Sequence, residues 1–346
     1  MRRLALLGLV AGAALAPSPP LHRAAADADV SALRELLKRA EGSGDAAAAK
    51  KWWFHVEREE VDVRAVDERG RTALHVAAAS EREGALGVVT ALLKAGAEAD
   101  AADREGVTPL LLAADVGAAR VCAVLLAAGA RPDATAAHTG AEPDAFLAGE
   151  TALMAAAWKG HLEVIETLLR GGATPDLRSP GGNTALHEAV EAGREGAVLA
   201  LLAGGADPNA RGSDAELTPL HVAVWQCQRG EAAQGAKRSA AAGVAAVLLE
   251  GGADPWLQDA KGQSALHHAA ADGKTATLQL LLASGAEPKG RAPLAAAPTL
   301  EGEPPLHVAI GAAQGRGMDP KGTEDAAVEC ARLLLEAGAP LLGTDR

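Results

Sequence analysis

The chain has 346 residues, more than the roughly 250–300 that one hydrophobic core usually serves, so it contains either two domains or a repeated array. Aromatic residues make up only 2% of the chain, and its core must therefore be built from Ala, Leu and Val, which suits closely packed small helices. The net charge of −12 argues against nucleic-acid binding, which needs clustered Lys and Arg, and no stretch reaches the roughly 18 apolar residues of a membrane span.

The N-terminus has the three parts of a secretory signal peptide. Two arginines precede an apolar stretch over 4–16, which ends in the small-x-small triplet at 14–16. Pro17, directly after that triplet, is a poor residue for cleavage, and a short helix that caps the fold is the alternative. We therefore expect residues 1–16 to be a cleaved signal peptide or an N-terminal cap. The first predicts the secretory pathway, and the second a cytoplasmic protein.

The three cysteines, Cys122, Cys227 and Cys330, lie about a hundred residues apart and form no CxxC pair. This spacing favours neither a disulfide framework nor a metal site.

A seven-residue phrase, TALHVAA at 72–78, is repeated along the chain. Its eight copies start at residues 19, 72, 108, 151, 184, 218, 264 and 304. A double Leu follows about 17 residues after most starts, and a Gly-Ala pair follows the double Leu. Thr or Ser at the start is a typical helix N-cap, and Pro at the next position suits the first helical turn. Each copy therefore predicts two helices joined by a turn.

These motifs resemble the ankyrin repeat. The TPLHxAA phrase, the second helix over 160–169 and the GADPNA turn over 205–210 match the family, and Thr151 and Thr184 are one family period of 33 residues apart. The resemblance covers residues 19–342. It implies an all-α solenoid of stacked helix-turn-helix units with short β-hairpin fingers, in which fingers and first helices line a concave side. Leu111 and Met154 depart from the family pattern, which has His there.

Several repeats are longer than the family period. The extra residues lie near 38–60, 135–149 and 289–303 in fingers, and near 81–83, 226–243 and after 310 between the helices of a repeat. Insertions in a solenoid fall on loops, which often bind partners. The segments 231–242, 292–299 and 311–322 are rich in Ala, Gly and charge without apolar periodicity, which predicts mobile segments.

The few aromatic residues are candidate partner contacts. Trp52, Trp53 and Phe54 lie together in the largest finger insertion, where they form either a packed extra helix or a binding anchor. Trp158 and Trp225 occupy the same repeat position, which in the ankyrin family resembles a variable position of the groove. They either contact a partner or pack on a neighbouring repeat.

Charged residues at the predicted fingertips are a second candidate set, and they either form solvated turns or steer a partner. The set consists of Asp67, Arg69, Asp103, Arg104, Asp259 and Lys261.

A histidine recurs at the fourth position of six copies and could suggest a metal or catalytic cluster. Neighbouring repeats stack about 10 Å apart, whereas ligands of one Zn²⁺ lie about 2 Å from it, so the histidines cannot share an ion. The resemblance implies a structural His bonded near the Thr of the turn. No nucleotide-binding, zinc-protease or hydrolase motif is present, and we expect no enzyme activity, cofactor or metal.

The predicted function is a non-catalytic adaptor or scaffold that binds a protein partner through its concave surface, as a monomer, without nucleic acid. Two alternatives stay open: a targeting or regulatory subunit for an enzyme on another chain, and a passive structural spacer.

Overall fold

The computed structural model describes residues 20–41, 62–137, 149–212, 215–226, 236–284, 294–300, 302–315 and 323–339. The candidate leader over 1–16, the Trp52, Trp53 and Phe54 triplet, and Cys227 lie outside the described residues. The chain divides into two compact units, Met1–Ala156 with Glu163–Thr174, and Ala157–Leu162 with Pro175–Arg346.

The described residues form α-helices that follow one another in pairs, one pair for each copy of the repeated phrase. The pairs are α1 (Pro20–Ala26) and α2 (Val30–Glu41), α3 (Ala73–Ala78) and α4 (Ala85–Lys94), α5 (Pro109–Asp115) and α6 (Ala119–Ala127), α7 (Ala152–Lys159) and α8 (Leu162–Arg170), α9 (Ala185–Glu191) and α10 (Glu195–Ala203), α11 (Pro219–Gln226) and α12 (Ala236–Glu250), α13 (Ala265–Ala271) and α14 (Thr275–Ala283), and α15 (Pro305–Gly315) and α16 (Thr323–Glu336). No helix in these ranges is long and apolar enough to cross a membrane.

Within each unit, a helix packs on the helix of the same kind in the next repeat. In the first unit α1 packs on α3 and α3 on α5, while α2 packs on α4 and α4 on α6. In the second unit α9, α11, α13 and α15 form one such row, and α10, α12, α14 and α16 form another. Paired alanines such as Ala77 and Ala78 are fully buried in the first row. Their methyl groups allow close helix approach, which replaces aromatic bulk with contact density.

Within the described residues, the predicted fingers are closed by single antiparallel bridges rather than by extended strands. The bridges join Val66 to Thr72, Thr135 to Thr151, Gly212 to Leu217, and Gln258 to Ser264. Fingers of neighbouring repeats approach closely. At Gly106, which has a φ of +74°, an added Cβ would lie 2.5 Å from the backbone N of Ala137 in the next finger. Glycine is therefore required there for both conformation and space.

Parts of the segments predicted to be mobile have regular structure. Helix α12 already begins at Ala236, α15 continues to Gly315, and Leu294–Ala296 forms a 3₁₀ turn. The physical reason is composition, because Ala-rich sequence has high intrinsic helix propensity even where apolar periodicity is absent.

The repeated histidine joins each repeat to the next one. In α3, Nδ1 of His75 accepts a hydrogen bond from the backbone N–H of Thr72, 3.0 Å away. Because Nδ1 accepts, the ring proton lies on Nε2, which donates to the carbonyl of Val107 at the entrance of the next repeat, at 3.0 Å. Both ring nitrogens of His75 thus have hydrogen-bond partners. The histidine therefore has the structural role that the resemblance implies.

The same bond recurs in the second unit. Nε2 of His187 lies 3.0 Å from the carbonyl O of Leu217, and Nε2 of His221 lies 3.1 Å from that of Gln263. His267 continues the series with a 3.3 Å contact to the carbonyl of Glu303. Each bond spans consecutive repeats, so the series sets the register of one helix pair on the next.

The third repeat lacks the histidine and has an apolar contact in its place. Thr108 still caps its helix by accepting from the N–H of Leu111. The Leu111 side chain is fully buried and packs with Val107 and with Ala136 of the following finger. A dispersion contact replaces the hydrogen bond across this junction.

The first repeat shows what the cap contributes. Nε2 of His22 bonds the carbonyl of Arg71 at 2.7 Å, but its buried Nδ1 has no hydrogen-bond partner within the described part of the chain. Pro19 stands in the sequence where six of the other repeats have Thr or Ser, and proline has no N–H to donate. The cap residue therefore determines whether the ring is fully satisfied.

Burial keeps these histidines neutral. Burial lowers the pKa of His75 and His187 below the ordinary value of 6.5. For His221 and His267 burial, reinforced by the neighbouring His268, lowers the pKa to about 4. A neutral ring is required because protonated Nδ1 could no longer accept from the cap N–H.

We predict that the free energy of unfolding falls as pH decreases from 6.5 towards 4. Unfolded histidine takes up a proton below 6.5 while His221 and His267 stay neutral, so protons favour the unfolded chain, by about 1.4 kcal/mol for each unit of pKa difference. The double variant His221→Met and His267→Met should be less stable at pH 7, since Thr218 N–H and the Gln263 carbonyl lose their partner, yet should lose less stability between pH 7 and pH 4.5.

Met154 occupies the same position in the fourth repeat, which makes methionine a fitting replacement. Urea titrations of both proteins at pH 7, 5.5 and 4.5 measure the effect. If the original protein and the double variant lost the same free energy of unfolding between pH 7 and pH 4.5, His221 and His267 would not be the source of the pH dependence.

Candidate protein-binding surface

Trp158 and Trp225 lie at equivalent places in the second unit, each one residue before the end of a first helix. Trp225 is 42% exposed, which is high for so large an apolar side chain, and Trp158 is half-buried. The equivalent residues of α9 and α13 are Glu191 and Ala271, also half-buried. Since α9 and α11 are neighbours in the row, this surface offers one variable side chain per repeat.

A basic residue from the following repeat holds each tryptophan-bearing helix end. Nε of Arg194 donates to the carbonyl O of Trp158 at 3.2 Å, and Nζ of Lys274 donates to that of Val224. Lys274 also forms a largely buried ion pair with Asp272 at 3.2 Å. The carbonyls at a helix end have no partner in their own helix, so these bonds satisfy them and fix the helix ends that carry the tryptophans.

Gly160 makes room for this arrangement. An added Cβ there would lie 3.0 Å from Cδ of Arg194, and the φ of +82° is itself a glycine conformation. The Arg194 side chain therefore lies directly over the turn that follows Trp158.

The aspartates of the predicted fingertip set hold the finger turns together. Oδ1 of Asp67 accepts from the N–H groups of Arg69 and Arg71, each at 2.9 Å, and Oδ2 pairs with the Arg71 guanidinium at 2.8 Å. Oδ1 of Asp103 accepts from two backbone N–H groups in the same pattern. These carboxylates are engaged within their own turns, whereas the side chains of Arg69, Arg104 and Lys261 are exposed.

Asp259 is the most enclosed of the three. It is buried and accepts from the N–H groups of Lys261 and Gln263, while Oδ2 lies 3.0 Å from Nε2 of His268. Burial acts to raise the pKa of Asp259, but the Gln263 N–H and His268 outweigh it and hold the pKa below its ordinary value. The His268 ring meets the ring of His221 edge-on, with centroids 5.6 Å apart. The finger that contains Asp259 is thereby joined to α13, and α13 to α11 of the preceding repeat.

The structure divides the remaining candidates between the two units. Asp67, Arg69, Asp103 and Arg104 belong to the first unit, and Trp158, Trp225, Asp259 and Lys261 belong to the second.

Arg194, Lys274 and His268 were missed by the sequence analysis. A signal for the first two existed, because Arg194 and Lys274 each lie ten residues after the Thr or Ser that starts their repeat.

Potential metal ligands and two cysteine thiols lie within the described ranges. No group of three or more His, Cys, Asp and Glu residues there could hold a metal ion. Cys122 and Cys330 are unpaired and buried, and burial raises their thiol pKa to about 12 and about 11. These thiols stay protonated at neutral pH and are poor nucleophiles.

We predict that Asp67→Ala lowers the free energy of unfolding by roughly 1–3 kcal/mol, because two backbone N–H groups and Arg71 lose their acceptor. The neighbouring Glu68 is exposed, and Glu68→Ala should change stability by less than about 0.5 kcal/mol. Thermal and urea unfolding of the two variants measure the difference. Equal effects would show that the turn does not depend on Asp67.

Comparisons with known proteins agree with this geometry. A family model that describes three consecutive ankyrin repeats matches this chain over four ranges, 21–136, 137–212, 153–234 and 232–345. The human ASB11 ankyrin repeat domain is 28% identical over 78% of this chain and 99% of its own, with a TM-score of 0.56. The ankyrin repeat domain of Bcl-3, a member of the IkappaB family, is 28% identical over 70% of this chain and 95% of its own, with a TM-score of 0.57. The search of curated proteins gave no match.

The family model covers nearly all of the chain, and the two solved structures share its repeats. Ankyrin repeats are in general protein–protein interaction modules, and their fold is typically non-catalytic. The chain belongs to the ankyrin repeat family and has the all-α ankyrin-repeat solenoid fold.

Proposed function

We propose that this chain is a non-catalytic adaptor or scaffold whose protein partner docks on the ends of the first helices and on the fingers of the second unit. Trp158 and Trp225 act as the anchors, and the exposed charges of the fingertips select the partner. The observation that carries the proposal is the 42% exposure of Trp225 at a position where neighbouring repeats carry small or charged residues.

Preorganisation supports this role. Arg194 and Lys274 hold the ends of the helices that carry the tryptophans, so a partner meets a surface whose backbone is already fixed. Little conformational entropy is then lost on binding, so more of the free energy gained by burying the aromatic rings contributes to affinity. Neighbouring repeats stack about 10 Å apart, which places the two tryptophans roughly 20 Å from each other, within the width of a standard interface.

Selection by charge is the second part of the proposal. Exposed Lys261 in the second unit, like Arg69 and Arg104 in the first, lies at the tip of a finger whose own aspartate is engaged in the turn. Exposed cations at these positions attract acidic groups of a partner and raise the rate of association.

We predict that Trp158→Ala combined with Trp225→Ala weakens partner binding at least about tenfold without unfolding the protein, since buried tryptophans are frequent hot spots. The partner is first captured by crosslinking and mass spectrometry on whole lysate, and the dissociation constants are then measured with the purified proteins. Leu199→Ala is the matched control, because Leu199 is 51% exposed but belongs to the second helix α10.

The outcome separates the proposal from its alternatives. An unchanged affinity in the double variant would contradict the anchors, and the absence of any partner would favour a passive spacer. An enzyme activity that copurifies with the chain and is lost in the double variant would identify it as a targeting or regulatory subunit.

A further inference from the structure

We propose that a groove between α2 and α4 in the first unit is a second docking site, and that it takes a short acidic amphipathic helix of a partner protein. This site is separate from the first-helix and finger surface of the second unit, and its occupant differs in chemistry.

The groove has an apolar floor and a cationic rim. Leu37, Leu86 and Ala91 form the floor, and the cavity measures about 490 Å³ and is open to solvent. Arg34 and Lys38 from α2 and Lys94 from α4 line its edges, and all three are exposed. The two edges thus carry the same charge in a chain whose net charge is −12.

None of these three cations forms an ion pair or a side-chain hydrogen bond with another described residue, although Glu35 adjoins Arg34 in the sequence. Arg34 and Lys38 are one helical turn apart, where like charges destabilise a helix. Lys38 and Lys94 directly follow the second Leu of their repeats, so packing α2 on α4 brings them to adjacent places. A ligand that brought carboxylates to this rim would remove the repulsion.

Two other pairs of second helices, α6 with α8 and α10 with α12, place a leucine at the corresponding position. A Cβ added to Gly171 would lie 2.6 Å from Cδ1 of Leu126, and one added to Gly251 would lie 2.6 Å from Cδ1 of Leu202. The leucine of the preceding repeat therefore seats directly on a glycine at these two places. Ala95 stands at the equivalent position of the α2–α4 junction, where it lines the groove together with Leu37.

The dimensions and chemistry favour a helical peptide. The floor extends from Leu86 to Lys94, about 12 Å, or roughly two helical turns. A helix with apolar residues on one face and carboxylates beside them places its apolar side chains on the floor and its charges on the rim. Nucleic acid has no apolar face for the floor, and the net negative charge of this chain repels its row of phosphates.

The test uses the full chain and a fluorescein-labelled 15-residue peptide with Leu at positions i, i+3, i+4 and i+7 and Glu elsewhere. We expect anisotropy to report binding that weakens with salt and that falls at least tenfold in the Arg34→Glu and Lys94→Glu double variant. The matched control is Arg120→Glu with Arg170→Glu, which changes the same charge on exposed residues of α6 and α8. The single variant Lys38→Glu should weaken peptide binding by a smaller factor than the double variant does.

Retained binding in the control double variant and in Trp158→Ala with Trp225→Ala supports a groove independent of the tryptophan surface. No binding, equal binding of a scrambled peptide, equal loss in the control, or tighter binding of single-stranded DNA would overturn the proposal. Binding that appears only after deletion of residues 42–61 would also overturn it, because the chain's own segment would then be the occupant.

Discussion

The hydrogen bond from Nε2 of a repeat histidine to the carbonyl at the entrance of the next repeat is the constraint on which the rest of the array depends. His75, His187, His221 and His267 each make it, and each is oriented by the backbone N–H of its own cap residue, which occupies Nδ1. A single cap thus fixes the tautomer, the ring direction and the register between consecutive repeats. Burial of the ring keeps it neutral, which the bond requires.

Register determines where the variable residues lie. Once consecutive helix pairs are fixed, the last turns of the first helices form a row with one variable residue position per repeat. Trp158 and Trp225 occupy two of these positions. The same register brings Arg194 and Lys274 over the preceding helix ends. It also brings Lys38 and Lys94 together on the second-helix row. The two surfaces that we propose for binding therefore both depend on the stacking of repeats.

Local signals in the sequence were sufficient for the helix pairs. The Thr or Ser caps, the Pro at the next position and the double Leu are short-range features, and the helices begin where those caps predict. The missed features depend on contacts across repeats. Lys274 bonds Val224 fifty residues away, across an insertion that breaks the period, and the early start of α12 at Ala236 follows from alanine propensity rather than from periodicity. Asp259 was interpreted as a fingertip charge, although its turn encloses it.

The most direct measurement of the central claim is the nitrogen chemical shifts of the histidine side chains, followed by NMR from pH 7 to pH 4.5. We predict that His75, His187, His221 and His267 have a protonated Nε2 and an unprotonated Nδ1 at pH 7, and that His221 and His267 keep this state below pH 5. Rings that exchange between tautomers, or that take up a proton near pH 6.5 while the chain stays folded, would contradict the account.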